Sequence, residues 1–410
     1  MSTVRRRCVF YVSGFDPKGA AFYHRLYREQ AALQAGINGM AIEVGARRRP
    51  ADGNPFWTLK AQTAAGPVET HYEFMQWDDI VRGHWPGNLL RLWWQIVATT
   101  GVYLRTGALW KMFKLSWPIA VAAFVPFLLV CAIVLLLPAA GLLAGWLVLE
   151  LTGHGVAAAA AGGAVALGLA WVARYLEARY SLYWMMRSYA FTARQARGRL
   201  PELEARLDQQ AVRLLARVQQ GGYDEVLVVG HSSGAIMAAA VLARALRRSP
   251  QLGSGAGQAL SLLTLGQCIP LLALLPAAAG FRRELELLGA TPQLHWIDFS
   301  APPDGCCFAL VDPLESCGLP AVPGRPKLLS PRFAQMFDAA SYQALRADKL
   351  QMHFQYLRAS QQRVEYDYFL VTAGELTLAE RFGGQRGVVG YDGLRPLGRL
   401  AKARQRPRNA

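Results

Sequence analysis

Gly230-His231-Ser232-Ser233-Gly234 fits the pattern G-x-S-x-G. A serine hydroxyl attacks an acyl carbonyl only when it is exposed at a sharp turn, when a base can take its proton, and when donors face the developing oxyanion. Ser232 is the nucleophile candidate, and Gly230 and Gly234 are the glycines that would relieve crowding at such a turn. The backbone N–H of Ser233, near the positive end of a following helix, would point at the oxyanion. Five residues alone are a weak signal, so the flanking elements decide what the pattern means.

The flanks are those an elbow requires. EVLVVG, 225 to 230, reads as a buried strand, and AIMAAAVLARALRR, 235 to 248, as a helix. Before them, PELEARLDQQAVRLLARVQQ reads as an amphipathic helix stopped by Gly221 and Gly222. After them come a strand at 260–266, a helix through about 288 and a strand at 294–300. Near the N-terminus, a strand at 7–12 ends in a Gly-rich turn and leads to a helix stopped at Gly36. Strands are also expected at 40–46 and 69–77, with 50–67 as a loop, and 366–374 is strand-like. Strands alternating with helices imply an α/β fold with a mainly parallel sheet flanked by helices.

Hydrophobic residues form 53% of the 410-residue chain, and the excess is concentrated in the middle. Residues 115–149 and 151–173 carry no Asp, Glu, Lys or Arg. The segments 117–137 and 155–173, of 21 and 19 residues, are each long enough to cross a bilayer as a helix. Two places suit the turn between them: Pro138 with Gly141, or Glu150 to Gly155. Arg105, Lys111 and Lys114 precede this block and Arg174, Arg179 and Arg187 follow it, whereas the connection has no Lys or Arg. An excess of cations on both flanks predicts an inserted two-helix transmembrane hairpin with both termini in the cytoplasm, as in a bacterial inner membrane. Trp93, Trp94, Trp110, Trp117, Trp171, Tyr175, Tyr180, Tyr183 and Trp184 crowd its approaches as interfacial anchors do. The alternative is a helical hairpin buried in a large soluble core.

The formal charge of +16 raises the question of nucleic acid. No zinc-finger, homeodomain or aromatic-interleaved basic pattern accompanies it, so no nucleic-acid partner is expected and an anionic membrane face accounts for the charge. The six cysteines show no CxxC pair or zinc-ligand spacing and read as reduced thiols. Asp78 and Asp79 resemble a paired-carboxylate site, but without other metal ligands nearby they fit a helix start or a salt bridge.

With its elbow between strand and helix, the chain resembles the α/β-hydrolase superfamily. The resemblance covers about the first forty residues and 200–360, with the hairpin inserted between the fourth- and fifth-strand equivalents. It implies a Ser-His-Asp triad in the chain order nucleophile, acid, histidine. His295 and His353 are the histidines downstream of Ser232, and His295 falls inside a strand, which leaves His353 as the base. Asp304, in SAPPDG after the strand at 294–300, is the implied acid, with Asp312 as the fallback and Asp298 inside the strand. The second oxyanion donor would be the Phe15 N–H, in VSGFDPKGAAF. In departure from the family, the chain begins at what would be the third strand, Ser13-Gly14 replaces the more usual His-Gly, and no strand is evident between Asp304 and His353.

The expected organisation is residues 1–90 and 196–393 as two parts of one hydrolase domain, 91–195 as interfacial helices and hairpin, and 394–410 as a basic tail. The expected activity is a membrane-anchored serine hydrolase cleaving lipidic acyl esters, with no metal or organic cofactor. A thioesterase or acyltransferase would use the same triad, and a scaffold that has lost turnover is the alternative outside enzymology.

Overall fold

The computed structural model describes residues 3–85, 88–180, 182–255, 257–320 and 322–396. At its centre is strand β1 (Arg6–Val12), buried at every position after Arg6, with Arg7 paired to Glu225 and an apolar run from Cys8 to Val12, as befits a strand covered on both faces. On one side β1 pairs in parallel with β5 (Glu225–His231), and the parallel series continues through β6 (Ala259–Leu265), β7 (Leu294–Phe299) and β8 (Lys327–Leu329). On its other side lies β4 (Gly66–Phe74), also parallel, followed by β3 (Phe56–Thr63) and β2 (Ile42–Val44) in antiparallel pairings. The result is one mixed, mainly parallel eight-stranded sheet in the order β2-β3-β4-β1-β5-β6-β7-β8.

Alternation along the strands divides the core between two faces. Cys8, Phe10 and Val12 of β1, with Val226 and Val228 of β5, pack on one face. They meet α8 (Pro201–Gln219), the Ala-rich α9 (Gly234–Arg248), α10 (Ile269–Ala273) and α11 (Ala279–Ala290). Val9, Tyr11, Leu227 and Val229 pack on the other face. There they meet α1 (Ala20–Asn38), α12 (Ala339–Ala347), α13 (Lys349–Phe354), α14 (Tyr368–Ala373) and α15 (Leu378–Phe382).

Several expectations need correction. Residues 50–67 are no loop: they hold β3, in which buried Trp57, Leu59 and Ala61 alternate with more exposed neighbours. The helix α1 runs through Gly36 and stops at Gly39, which takes the left-handed conformation at φ 77°. The helix expected through 288 is broken into α10 and α11. The stretch at 366–374 is helical, because Asp367 caps α14 by accepting from the Phe369 and Leu370 amides. A strand does separate Asp304 from His353: β8 is only three residues long and left no periodic signal.

Between β4 and β5 the chain leaves the sheet. The short α2 (Asp78–Gly83) leads to α3 (Leu89–Arg105) and α4 (Ala108–Leu115), then to the hairpin of α5 (Trp117–Thr152) and α6 (Gly155–Tyr180), and returns through α7 (Leu182–Ala196). The hairpin turns at Gly153-His154, within the second of the two candidate places, and Pro138 lies inside α5. Small residues bring the two helices into contact: a Cβ on Gly162 would lie 2.6 Å from the Gly141 carbonyl oxygen. Both helices are long and apolar enough to cross a membrane, and only 13% and 6% of their most apolar windows is buried. The hairpin is therefore not a soluble core, and Leu135, Leu142, Leu151 and Trp171 are among the side chains it exposes. At 36 residues α5 is about 54 Å long, well beyond the ~30 Å of a hydrocarbon layer. Its first turns pack instead on the soluble domain, where Ile119 and Ala120 are fully or nearly buried. The basic tail at 397–410 lies outside the described residues.

Candidate active site

Ser232 lies where β5 ends and α9 begins, with φ 59°, a left-handed conformation that non-glycine residues adopt at a cost of about 1–3 kcal/mol. The Ser232 amide donates to the Leu265 carbonyl of β6 at 2.8 Å, which ties this turn to the sheet. The glycines are required by close approach. A Cβ on Gly230 would lie 2.6 Å from the Ala235 Cα, and one on Gly234 would lie 2.4 Å from the Val12 carbonyl oxygen. Gly14, on the loop after β1, is similarly placed, with its would-be Cβ 3.0 Å from the Ser232 Cβ. Ser232 itself stays partly exposed while its neighbours are buried.

The implied acid and base meet although they are far apart in sequence. Asp348 caps α13 by accepting from the Gln351 amide, which sets the short helix that carries His353 in its last turn. His353 Nδ1 lies 2.8 Å from Asp304 Oδ2 in the turn beyond β7. The same oxygen accepts from the Tyr356 hydroxyl at 3.0 Å, and Asp304 Oδ1 accepts from the Cys306 amide at 3.0 Å. Burial opposes ionisation of Asp304, yet His353, with the Cys306 amide and the Cys307 side chain, holds its carboxyl below the usual carboxylate range. With Nδ1–H directed at Asp304, His353 Nε2 is left to act as a base.

The other acids do not enter this constellation. Asp312 accepts from the Leu314 and Glu315 amides and caps a short turn. Asp298 is buried in β7, bonded to Thr264 and Ser300, and burial pushes its carboxyl up to about 7. His295 is on β7 but exposed rather than in the core. Asp78 and Asp79 start α2 and pair with Arg82 and Arg206, so they serve as a helix start and salt bridges. Asp304, Cys306 and His353 have potential metal-ligand atoms within 4.8 Å of one another. His353 Nδ1 and Asp304 Oδ2 already face each other in a hydrogen bond, so the arrangement fits a base and its orienting acid better than a ligand set.

Of the two expected oxyanion donors, the Ser233 amide makes no hydrogen bond among the described residues. The Phe15 N–H is differently placed: it donates to the side-chain oxygen of Ser233 at 2.7 Å. The Phe15 carbonyl in turn accepts from the Trp184 indole of α7, so the loop is held from both sides.

Three participants had no signal in the sequence. His231, just before the nucleophile, donates from Nε2 to the His353 carbonyl at 2.9 Å and so holds the end of α13. Burial, with the facing His353 ring 4.9 Å away, lowers its pKa to about 3 and keeps it neutral. Cys268 is the neighbour of the Ser232 hydroxyl, with Sγ 3.8 Å from Oγ, and burial raises its thiol to about 12. Tyr356, three residues beyond His353, steadies the acid. A hydrophobic residue run gave no reason to single out any of them.

Ser232, Ser233, Phe15, His231, His353 and Cys268 line one cavity of about 560 Å³. Ser232 and His353 share it without a hydrogen bond between their side chains, a contact that unliganded sites often form only with substrate. Its wall continues onto α7 through Trp184, Met185 and Tyr189, and onto the first turns of α5 through Trp117, Pro118, Val121, Ala122 and Val125. A larger cavity of about 1060 Å³, against α8, α9 and α11, is lined by Arg197, Arg244, Arg247 and Arg283, with no Ser, Cys or His among its described lining residues. Chemistry therefore assigns the site to the smaller one. No family model, no curated protein and no solved structure matches this chain.

Proposed function

We propose that this chain is a membrane-anchored serine hydrolase of the α/β-hydrolase kind that cleaves acyl esters of lipidic substrates. The observation that carries the reading is the shared cavity: Ser232 and His353 open onto the same space as the first turns of α5. The fold reading rests on the left-handed Ser232 between β5 and α9, and on an acid after β7 and a histidine after β8. The edge strands β2 and β3, which follow β1 in the chain, take the place of the two strands that would otherwise precede it.

The chemistry follows from the positions. As Ser232 attacks the ester carbonyl, His353 Nε2 takes its proton and Asp304 stabilises the resulting imidazolium. The Ser233 amide receives the oxyanion, and Phe15 joins it once the Ser233 hydroxyl turns away. The leaving alcohol takes the proton from His353, and water, activated by the same imidazole, then releases the acid and restores Ser232. An ester and water become an acid and an alcohol. No further group is consumed.

The hairpin fits substrates that reside in lipid. Cations on both flanks support two crossings with the catalytic domain on the cytoplasmic side, in which case α5 would lead from the bilayer to the cavity wall. A second reading, a scaffold without turnover, draws on the missing Ser232–His353 hydrogen bond. Fluorophosphonate labelling of the purified protein in detergent, followed by intact mass, separates the two. The hydrolase reading expects one adduct on the wild type and none on Ser232→Ala; a folded wild type that takes no label would favour the scaffold.

A further inference from the structure

The cavity wall has a second chemistry, and it bears on which ester the site would take. Arg346, in the last turn of α12, and Lys349, the first residue of α13, both line the cavity. Both are exposed, and neither forms an ion pair among the described residues. A third cation is near: Lys18 Nζ lies 5.5 Å from the ring centre of Phe354 and 6.0 Å from that of Trp184, both of which line the cavity. The acid on this wall is Asp16, buried, with its oxygens already accepting from the Tyr23 hydroxyl and the Lys18 amide. Burial raises its pKa, which weakens it as an opposing charge. The opposite chemistry comes from α5, which offers Trp117, Pro118, Val121, Ala122 and Val125.

Resting on the hydrolase reading above, we propose that the substrate is an acyl ester of a glycerol phosphate, its chain against α5 and its phosphate at Arg346 and Lys349. Spacing limits how far the phosphate stands from the bond that breaks. Lys349 precedes His353 by four residues on α13, so the cation and the base share one face of a helix with Cβ atoms about 5–6 Å apart. A phosphate held there lies a few bonds from the scissile ester, as in a glycerophospholipid. The long arm of coenzyme A would carry its phosphates well past Lys349, so an acyl-coenzyme A is disfavoured. Arginine supplies a planar fork for two phosphate oxygens and lysine a point charge, a pairing suited to an anionic headgroup.

The test compares 1-oleoylglycerol 3-phosphate, 1-oleoylglycerol and oleoyl-coenzyme A in nonionic detergent micelles, so that no anionic surface contributes. The wild type is expected to show kcat/KM at least tenfold higher for the phosphate ester than for the neutral ester. In the Arg346→Gln/Lys349→Gln double variant that ratio is expected to fall at least fivefold. A wild-type ratio near one, a high ratio unchanged in the double variant, or a preference for oleoyl-coenzyme A would overturn the proposal. Binding of the first two lipids to Ser232→Ala protein supplies a readout independent of turnover. At least tenfold tighter binding of the phosphate ester supports the headgroup site even if no ester is cleaved, and equal affinities overturn it. Loss of turnover on every ester with that binding preference intact would instead count against the hydrolase reading alone.

Discussion

The Phe15 amide donates to the Ser233 hydroxyl at 2.7 Å, so one of the two donors expected for the oxyanion is engaged by the residue that supplies the other. Truncating Ser233 removes the competing acceptor and leaves its own backbone N–H in place. Ser233→Ala should therefore take fluorophosphonate at least as fast as wild type. It should also be less stable, by about 1–3 kcal/mol, because the buried Phe15 N–H loses its partner. Labelling kinetics and denaturant unfolding check the two parts. A variant that labels much more slowly would mean that the Ser233 hydroxyl assists the reaction instead of competing with it.

Asp304 orients His353, and its replacement by Asn should leave the shape of the site intact while favouring the wrong imidazole tautomer. A loss in kcat of about 10³–10⁴ is expected, by analogy with the effect of that change in serine protease triads. Asp312→Ala removes a turn cap that is not bonded to the imidazole and should change kcat less than about threefold while costing ~0.5–2 kcal/mol of stability. Comparing the two variants on one short-chain ester settles which carboxylate serves the histidine. Equal losses would remove Asp304 from its role.

The elbow was legible in the sequence because Gly, Ser and the flanking apolar runs are local, and so was the Ala-rich α9. The pairing of Asp304 with His353 was reached only through chain order, since nothing local to either residue points to the other across 48 intervening residues. Corrections arose where tertiary contacts overrode or shortened the local pattern. The run from 366 to 374 looks like a strand by its aromatics, yet buried Tyr368 and Phe369 pack against the sheet from a helix started by Asp367. β8 is too short for any periodicity to show, and α5 continued past the expected span because nothing in PAAGLLAGWLVLE, Pro138 included, forced it to stop. His231 and Tyr356 were invisible for a different reason: each acts through a partner that only the fold brings near.

Two buried groups should tilt the dependence of stability on pH in opposite directions. His231 has its folded pKa lowered to about 3, below the ordinary value of about 6.5, so it contributes stability above pH ~6.5 that is lost as pH falls toward 3. Asp298 has its folded pKa raised to about 7, so its contribution is full below pH ~4 and is lost as pH rises toward 7. Between about pH 4 and 6.5 the two slopes oppose each other. Urea midpoints across that window should fall more steeply with rising pH in His231→Gln than in wild type, and rise with pH in Asp298→Asn. Parallel profiles for all three proteins would show that neither group titrates as its burial implies.

The first turns of α5, a helix long and apolar enough to cross a membrane, also wall the cavity that holds Ser232, so on the proposed reading chain length should be read there. Val121 lines the cavity, whereas the exposed Leu142, farther along the same helix, does not. Val121→Trp fills part of the cavity at its α5 wall without adding charge. Cleavage of a sixteen-carbon ester should fall at least tenfold in kcat/KM, while a four-carbon ester, too short to reach α5, should change less than about threefold. A methylene lost from a hydrophobic site is worth ~0.8 kcal/mol, so excluding even a few of them is enough to produce that separation. Leu142→Trp should leave both esters as they are, since its exposed side chain does not line the cavity. A uniform loss on both esters would show that the substitution disturbed the catalytic groups. An unchanged ratio would place the acyl chain elsewhere and remove α5 from substrate binding.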